Sequence, residues 1–364
     1  MDNEEKLTVE TSKTPETSEI SETLQTEQPM HPVAGGTENL SDRVKILSPA
    51  QLVLKRFFRS KLSVIGLVTL LVLYLICFIG PLFSSMDYQT IDYDGPPKIA
   101  STPITYVVDG EEYMMYDITY TASINDKAYP SAKHWLGTDE NGRDVLMRLF
   151  YGGQISLTIG FVVVILETFI GVILGGIAGY FGKWVDQIIM RIVDIFYCIP
   201  QMPMLLICTA LLEANKVDGI ARIYWLCLVL VFFGWSGTAR IVRAQILSLR
   251  EQEFMLAERS MGVPVWRKIF LHLIPNVLPL LIVQMTLGLG GIILTESTLS
   301  YLGLGVPIPY ATWGNIIQSL RDFNSLQYHF HIWGPPGICI MLAVLSFNFV
   351  GDGLRDAFDP KMKK

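Results

Sequence analysis

The sequence predicts an all-α integral membrane protein with six transmembrane helices, and three observations carry that prediction. Hydrophobic residues make up 51% of the 364 positions and the mean hydropathy is positive, an unusual composition for a soluble domain. Six runs are apolar over roughly the 20 residues that a helix needs to cross a bilayer: Val64–Phe83, Ile155–Tyr180, Ile188–Leu212, Ile223–Ile246, Val277–Leu299 and Ile332–Val350. Lysine and arginine gather at alternate ends of these runs. They precede the first (Lys55, Arg56, Arg59, Lys61), lie between the fourth and fifth (Arg240, Arg243, Arg250, Arg259, Arg267, Lys268) and follow the sixth (Arg355, Lys361, Lys363, Lys364). The excess of basic residues on one side predicts that both termini and the fourth connection are cytoplasmic.

Residues 1–45 read as a disordered acidic tail. They are rich in Thr, Ser and Glu and nearly free of aromatic residues, so they have too little to bury. Residues 46–61 follow as an interfacial amphipathic helix. Ser48 is its cap, Pro49 takes the first helical position, and Leu52, Val53, Phe57 and Phe58 alternate with basic side chains. Residues 62–83 are the first span. Residues 84–135 form an insert in which two β-rich runs flank Asp109–Gly110, a strong hairpin signal. The excess of Asp and Glu through this stretch predicts that it lies outside. Residues 136–364 hold the other five spans.

Within the spans, Gly171, Gly175 and Gly179 recur every four residues and predict a flat face that a neighbouring helix can approach closely. Charged residues inside apolar runs are costly and point to function or pairing. Glu296 and Glu167 are therefore candidates for a translocation path, each with a packing role as the rival reading. Asp194 is expected to pair with Arg191, three residues earlier on the same helix face. The five cysteines all fall in apolar runs without a CxxC pair, which predicts neither a disulfide framework nor a metal site.

The most informative stretch is "LAERSMGVPVWRKIFLHLIPNVLP", Leu256–Pro279. It reads as a short amphipathic helix, at about 252–264, broken at Gly262, with a second helix opened by Pro264 and stopped by Pro275. Ala257 and Gly262 leave room for a close approach by another protein. Phe254, Met255 and Met261 offer apolar contact area, Glu258 and Arg259 offer polar rim contacts, and Arg267 and Lys268 reach the rim or lipid headgroups. On the residues alone, a docking knob and a helix resting on lipid remain equal alternatives.

Other signals are incomplete. No GxxxxGK[ST] phosphate loop occurs, and "YGGQISL" at Tyr151–Leu157 lacks the serine of an ATPase signature. "DENGRD" at Asp139–Asp144 fails as a calcium loop, because its register puts Gly137 and Arg148 at ligand positions. No acid, base or nucleophile set emerges, so no catalytic residue is assigned and the expectation is a non-enzyme.

The Leu256–Pro279 cassette resembles the "EAA" loop of ABC importer permeases. Ala257, Gly262 and Pro275 fit that pattern, whereas Leu256 and Glu258 depart from it. "HWLGTDENGRDVLMRLFYGGQISL", "AGYFGKWVDQIIMRIVDIFYCIPQMP" and "ESTLSYLGLGVPIPYATWGNII" are similar to blocks of the oligopeptide and dipeptide branch, and "SPAQLVLKRF" to the start of its C-type subunit. The resemblance implies a bacterial inner-membrane permease subunit that binds no cofactor itself. It would pair with a second, B-type permease subunit and dock on two cytoplasmic ATPase subunits, which bind ATP and Mg. An extracellular or periplasmic binding protein would deliver peptide. Phe254, Ala257, Glu258, Arg259, Gly262, Pro264, Arg267 and Pro275 would form the ATPase-coupling loop. Related permeases for nickel or another small solute share these motifs. An ion-driven secondary transporter would instead need internal repeats and an ion pathway, and neither is evident.

Overall fold

The computed structural model describes residues 48–84, 86–109, 111–217 and 219–359. The expected acidic tail and the last lysines lie outside the described residues. Helix α1, Pro49–Arg59, begins at a reciprocal cap in which the Ser48 hydroxyl accepts from the Gln51 amide and the Gln51 side-chain oxygen accepts from the Ser48 amide. It does more than rest on lipid. Phe57 is buried, and Arg56 donates to the Asp359 carbonyl at 3.1 Å, which ties α1 to the far end of the chain.

Helix α2, Lys61–Ile79, continues into a 3₁₀ turn at Gly80–Phe83. Strands β1 (Gly95–Val108) and β2 (Glu111–Ser123) pair antiparallel across a tight turn in which Asp109 adopts a left-handed φ of 55°. Among the described residues the sheet is this one hairpin, and nearly every β2 side chain is exposed.

Hydrogen bonds and ion pairs hold the loops around the hairpin. His134 lies between Asp144 (2.8 Å) and Asp92 (3.2 Å), and Lys133 meets Asp92 and Asp94, each at 2.7 Å. Lys127 reaches Asp322 at 2.7 Å. The Asp322 carboxyl is held below the usual carboxylate range by Lys127 and then by Ser325. Burial pushes Asp92 upward, but hydrogen bonds from Lys133 and Asn125, helped by the Asp94 amide and His134, outweigh it and leave Asp92 low.

The remaining helices are α3 (Val145–Phe181), α4 (Lys183–Cys198), α5 (Gln201–Ala214), α6 (Gly219–Arg250), α7 (Glu253–Ser260), α8 (Val265–Arg267), α9 (Ile274–Tyr301), α10 (Trp313–Ile317), α11 (Phe323–Tyr328) and α12 (Phe330–Phe358). Among the described residues, five helical segments are long and apolar enough to cross a membrane: α2 with its 3₁₀ turn, α3, α6, α8 running through to α9, and α12. The protein is a multi-pass membrane protein. The third apolar run is not one straight helix. It is α4 and α5, bent by 81° at Ile199–Pro200. Pro200 forces Ile199 into an extended conformation (φ −81°, ψ 122°) and supplies no amide proton for α4.

Helix α3 is central and packs on α2, α4, α6 and α9. Its glycine stripe lies against α6. A Cβ on Gly171 would fall 2.6 Å from Thr238 Cβ, one on Gly175 would strike the Ala239 carbonyl, and one on Gly179 would lie 2.9 Å from the Arg243 carbonyl. The glycines of "YGGQISL" have a similar role: Gly152 and Gly153 receive α10. Trp313 is fully buried there, and its indole nitrogen donates to the Leu149 carbonyl at 3.1 Å. "DENGRD" is a turn that starts α3. Asp139 accepts from the Asn141 and Arg143 amides, and Asp144 caps the helix through the Met147 amide at 2.8 Å.

Candidate functional site

The connection between α6 and α9 is built from inside outward. Met255, on the inner face of α7, is fully buried in an apolar cluster with Val242, Ile246, Leu273, Val277 and Leu281. It anchors the helix and offers no contact area to a partner, contrary to the sequence expectation. Glu258 also differs from expectation. It is buried, and its Oε1 meets His272 Nδ1 at 3.1 Å, so α7 is tied to the segment before α9. Arg259 faces outward and donates to the Arg250 carbonyl at 3.4 Å. Phe254, Leu256, Ala257 and Met261 are exposed.

The end of α7 explains Gly262. The Val263 amide bonds the Glu258 carbonyl and the Gly262 amide bonds the Arg259 carbonyl, both at 3.2 Å. This paired closure requires a left-handed residue, and Gly262 has φ 69°. A Cβ there would meet nothing among the described residues within 4 Å, so the glycine faces open space. Pro264 follows and caps α8 with an extended backbone.

Pro275 does not stop a helix. The chain is helical from Val265 to Tyr301, and a π turn at Lys268–Leu273 precedes the proline, which sits in the first turn of α9. The wider turn accommodates the ring and the missing amide proton. Lys268 is buried rather than at the rim, whereas Arg267 is exposed beside Trp266.

The expected path residues separate from this site and from each other. Glu296 is fully buried and does not reach a surface of this chain. Ser300 donates to one of its oxygens at 2.6 Å and Ser156 to the other at 3.2 Å, so it is the polar centre where α3 and α9 meet α10. Glu167 packs against Gly234 of α6, and its Oε1 is buried without a hydrogen-bond partner among the described residues. Asp194 pairs with Arg240 at 2.7 Å instead of with Arg191. Sequence reasoning missed Arg240 because its partner is on another helix. It missed His272 because a histidine in an apolar run carries no local pattern.

Residues 171–364, which hold this connection and everything after it, match the family model of binding-protein-dependent transport system inner membrane components. Residues 48–97 match the N-terminal transmembrane domain of oligopeptide transport permease C. The chain belongs to the binding-protein-dependent permease family. It is 35% identical over 332 residues to the oligopeptide transport system permease protein OppC of Bacillus subtilis, covering 91% of this chain and 95% of that protein. It is 36% identical over 323 residues to the dipeptide transport system permease protein DppC of Alkalihalophilus pseudofirmus, covering 88% and 93%. The glutathione transport system permease protein GsiD of Pectobacterium atrosepticum is 36% identical over 255 residues, covering 70% and 79%.

Proposed function

We propose that this permease is the C-type membrane subunit of an ATP-driven peptide importer, and that α7 is the knob through which partner ATPases drive it. The observation that carries the reading is the construction of α7. Met255 and Glu258 fix it to the bundle while Gly262 presents a bare, open backbone at its tip. A helix anchored on one side and bare on the other can be pushed as a rigid body. Full-length relatives named for oligopeptide and dipeptide transport support peptide over nickel as the cargo. Membership of the binding-protein-dependent permease family argues against an ion-driven carrier.

In this reading α4 and α5 together make a sixth span, both termini and α7 face the cytoplasm of a bacterium, and the β1–β2 hairpin lies outside. The chain carries no cofactor of its own, while ATP and Mg belong to two ATPase subunits. A B-type permease supplies the other half of the pore, and an external binding protein delivers peptide. The reading is tested by reconstituting the permease with those partners. Gly262→Trp should insert normally yet lose ATPase co-purification and peptide uptake by tenfold or more. Normal uptake by a normally inserted variant overturns it.

A further inference from the structure

The third apolar run has two features that a lipid-facing segment does not tolerate. One is an exposed ion pair. Arg240 on α6 and Asp194 on α4 meet at 2.7 Å with side chains 46% and 50% exposed, and the Arg240 guanidinium lies 4.1 Å from the centre of the Tyr197 ring. The other is the break at Ile199–Pro200. Phe196, just before the break, packs on Phe232 and Phe233, close to the middle of α6. The break therefore lies near mid-span. Helix ends leave their last carbonyls and first amides without helical partners. At membrane depth, such backbone is stable only inside protein or against water.

The two features share one side of α4. Gln187, Arg191, Asp194 and Cys198 follow each other at helical spacing and are all exposed. A neighbouring stripe, Ile188, Ile192 and Ile195, is exposed and apolar. Helix α4 thus presents an oily strip and, beside it, a polar strip that meets the break. Arginine and aspartate on spans face water-filled cavities or the bundle interior, and broken helices in transporters present opposite half-helix dipoles to solute.

We infer that the polar strip of α4 is a wall of the translocation path, and that Asp194, Arg240 and the α4–α5 break hold the charged ends of a peptide in passage. Asp194 and the carbonyl end of α4 suit the peptide ammonium. Arg240 and the amide end of α5 suit its carboxylate. This deepens the peptide-importer reading and rests on it for the ligand, but the wall itself rests on the charges and the break.

The test uses the reconstituted complex of permease, partner permease and ATPases. A charged, membrane-impermeant thiol reagent should modify native Cys198, with Cys198→Ser as the blank, and a saturating zwitterionic dipeptide should slow the reaction several-fold. An unreactive Cys198 in the assembled complex means that lipid or the partner subunit covers the strip, which overturns the inference. Asp194→Asn should raise KM for a free dipeptide roughly tenfold, the scale of one charge-assisted hydrogen bond, and leave its N-acetylated form little affected. Arg240→Gln should discriminate in the same way between free and C-amidated forms. Equal losses for blocked and free peptides indicate a structural pair and overturn the ligand assignment. A wild-type complex that moves no peptide, with Cys198 still reactive, overturns the cargo reading and leaves the wall standing.

Discussion

Two sets of glycines in this molecule look alike in sequence and do opposite things. On α3, Gly171, Gly175 and Gly179 are bare because α6 occupies the space that their side chains would fill. At the end of α7, Gly262 is bare with nothing among the described residues within 4 Å of the place its side chain would take. The first set is consumed by the fold. The second is left over by the fold, and an unused close-approach position on a rigid helix is what a partner protein would use.

The largest expected effect breaks that comparison on the α3 side. Gly175→Leu drives a side chain into the Ala239 backbone, which cannot yield without separating α3 from α6. The variant should fail to accumulate in the membrane, as measured by fluorescence of a fused reporter. Gly262→Trp should accumulate normally, since its cost is only the left-handed conformation, about 1–2 kcal/mol. Equal accumulation of the two variants would erase the distinction.

A pair of carboxylates sharpens the same contrast. Glu296→Ala removes the acceptor of the Ser156 and Ser300 hydroxyl protons, although both oxygens still accept from the Trp313 and Val306 amides, and should cost about 1–3 kcal/mol for each lost bond. Asp194→Asn, at an exposed pair, should cost about 0–1 kcal/mol. Thermal unfolding in detergent separates the two. Glu258→Ala should fall between them. It removes the strap to His272 and loosens α7, with faster amide exchange across Glu253–Ser260, while Glu258→Gln retains an acceptor for the ring and should restore most of the protection.

The smallest effect is a pH dependence of the loops around the β1–β2 hairpin. Asp92 and Asp322 both titrate lower in the folded chain than in the unfolded one. Their contribution is therefore complete above about pH 4, the unfolded value, and is lost as pH falls below it. Limited proteolysis around Lys127–Lys133 should be unchanged from pH 7 to pH 5 and should accelerate below pH 4. Asp322→Asn should show the acid behaviour of the Lys127 contact already at pH 7. Acid-insensitive cleavage would assign these loops to packing alone.

What was legible in the sequence followed from local rules. The apolar runs, the Ser48 cap, the hairpin turn at Asp109 and the glycine stripe each declare themselves within a few residues. What was not legible depended on elements far apart in the chain. Asp194 chose Arg240 over Arg191 because α6 brings the guanidinium alongside α4. Glu258 turned inward because His272 stands on the next helical segment. Glu296 was taken from any path by hydroxyls of α3 and α9. Pro200 and Pro275 carry the same sequence signal, yet one breaks a span by 81° and the other is absorbed by a widened turn. The difference lies in the backbone ahead of each proline, which composition does not reveal.

That widened turn has a geometric consequence. A π turn holds one residue more than an α turn, and one residue corresponds to about 100° around a helix axis. The surplus residue within Lys268–Leu273 therefore sets the compass bearing of α7 and α8, which precede it in the chain, relative to α9. Deleting one residue there would leave α9 and α7 each well formed, with α7 facing roughly a quarter-circle away from its present direction.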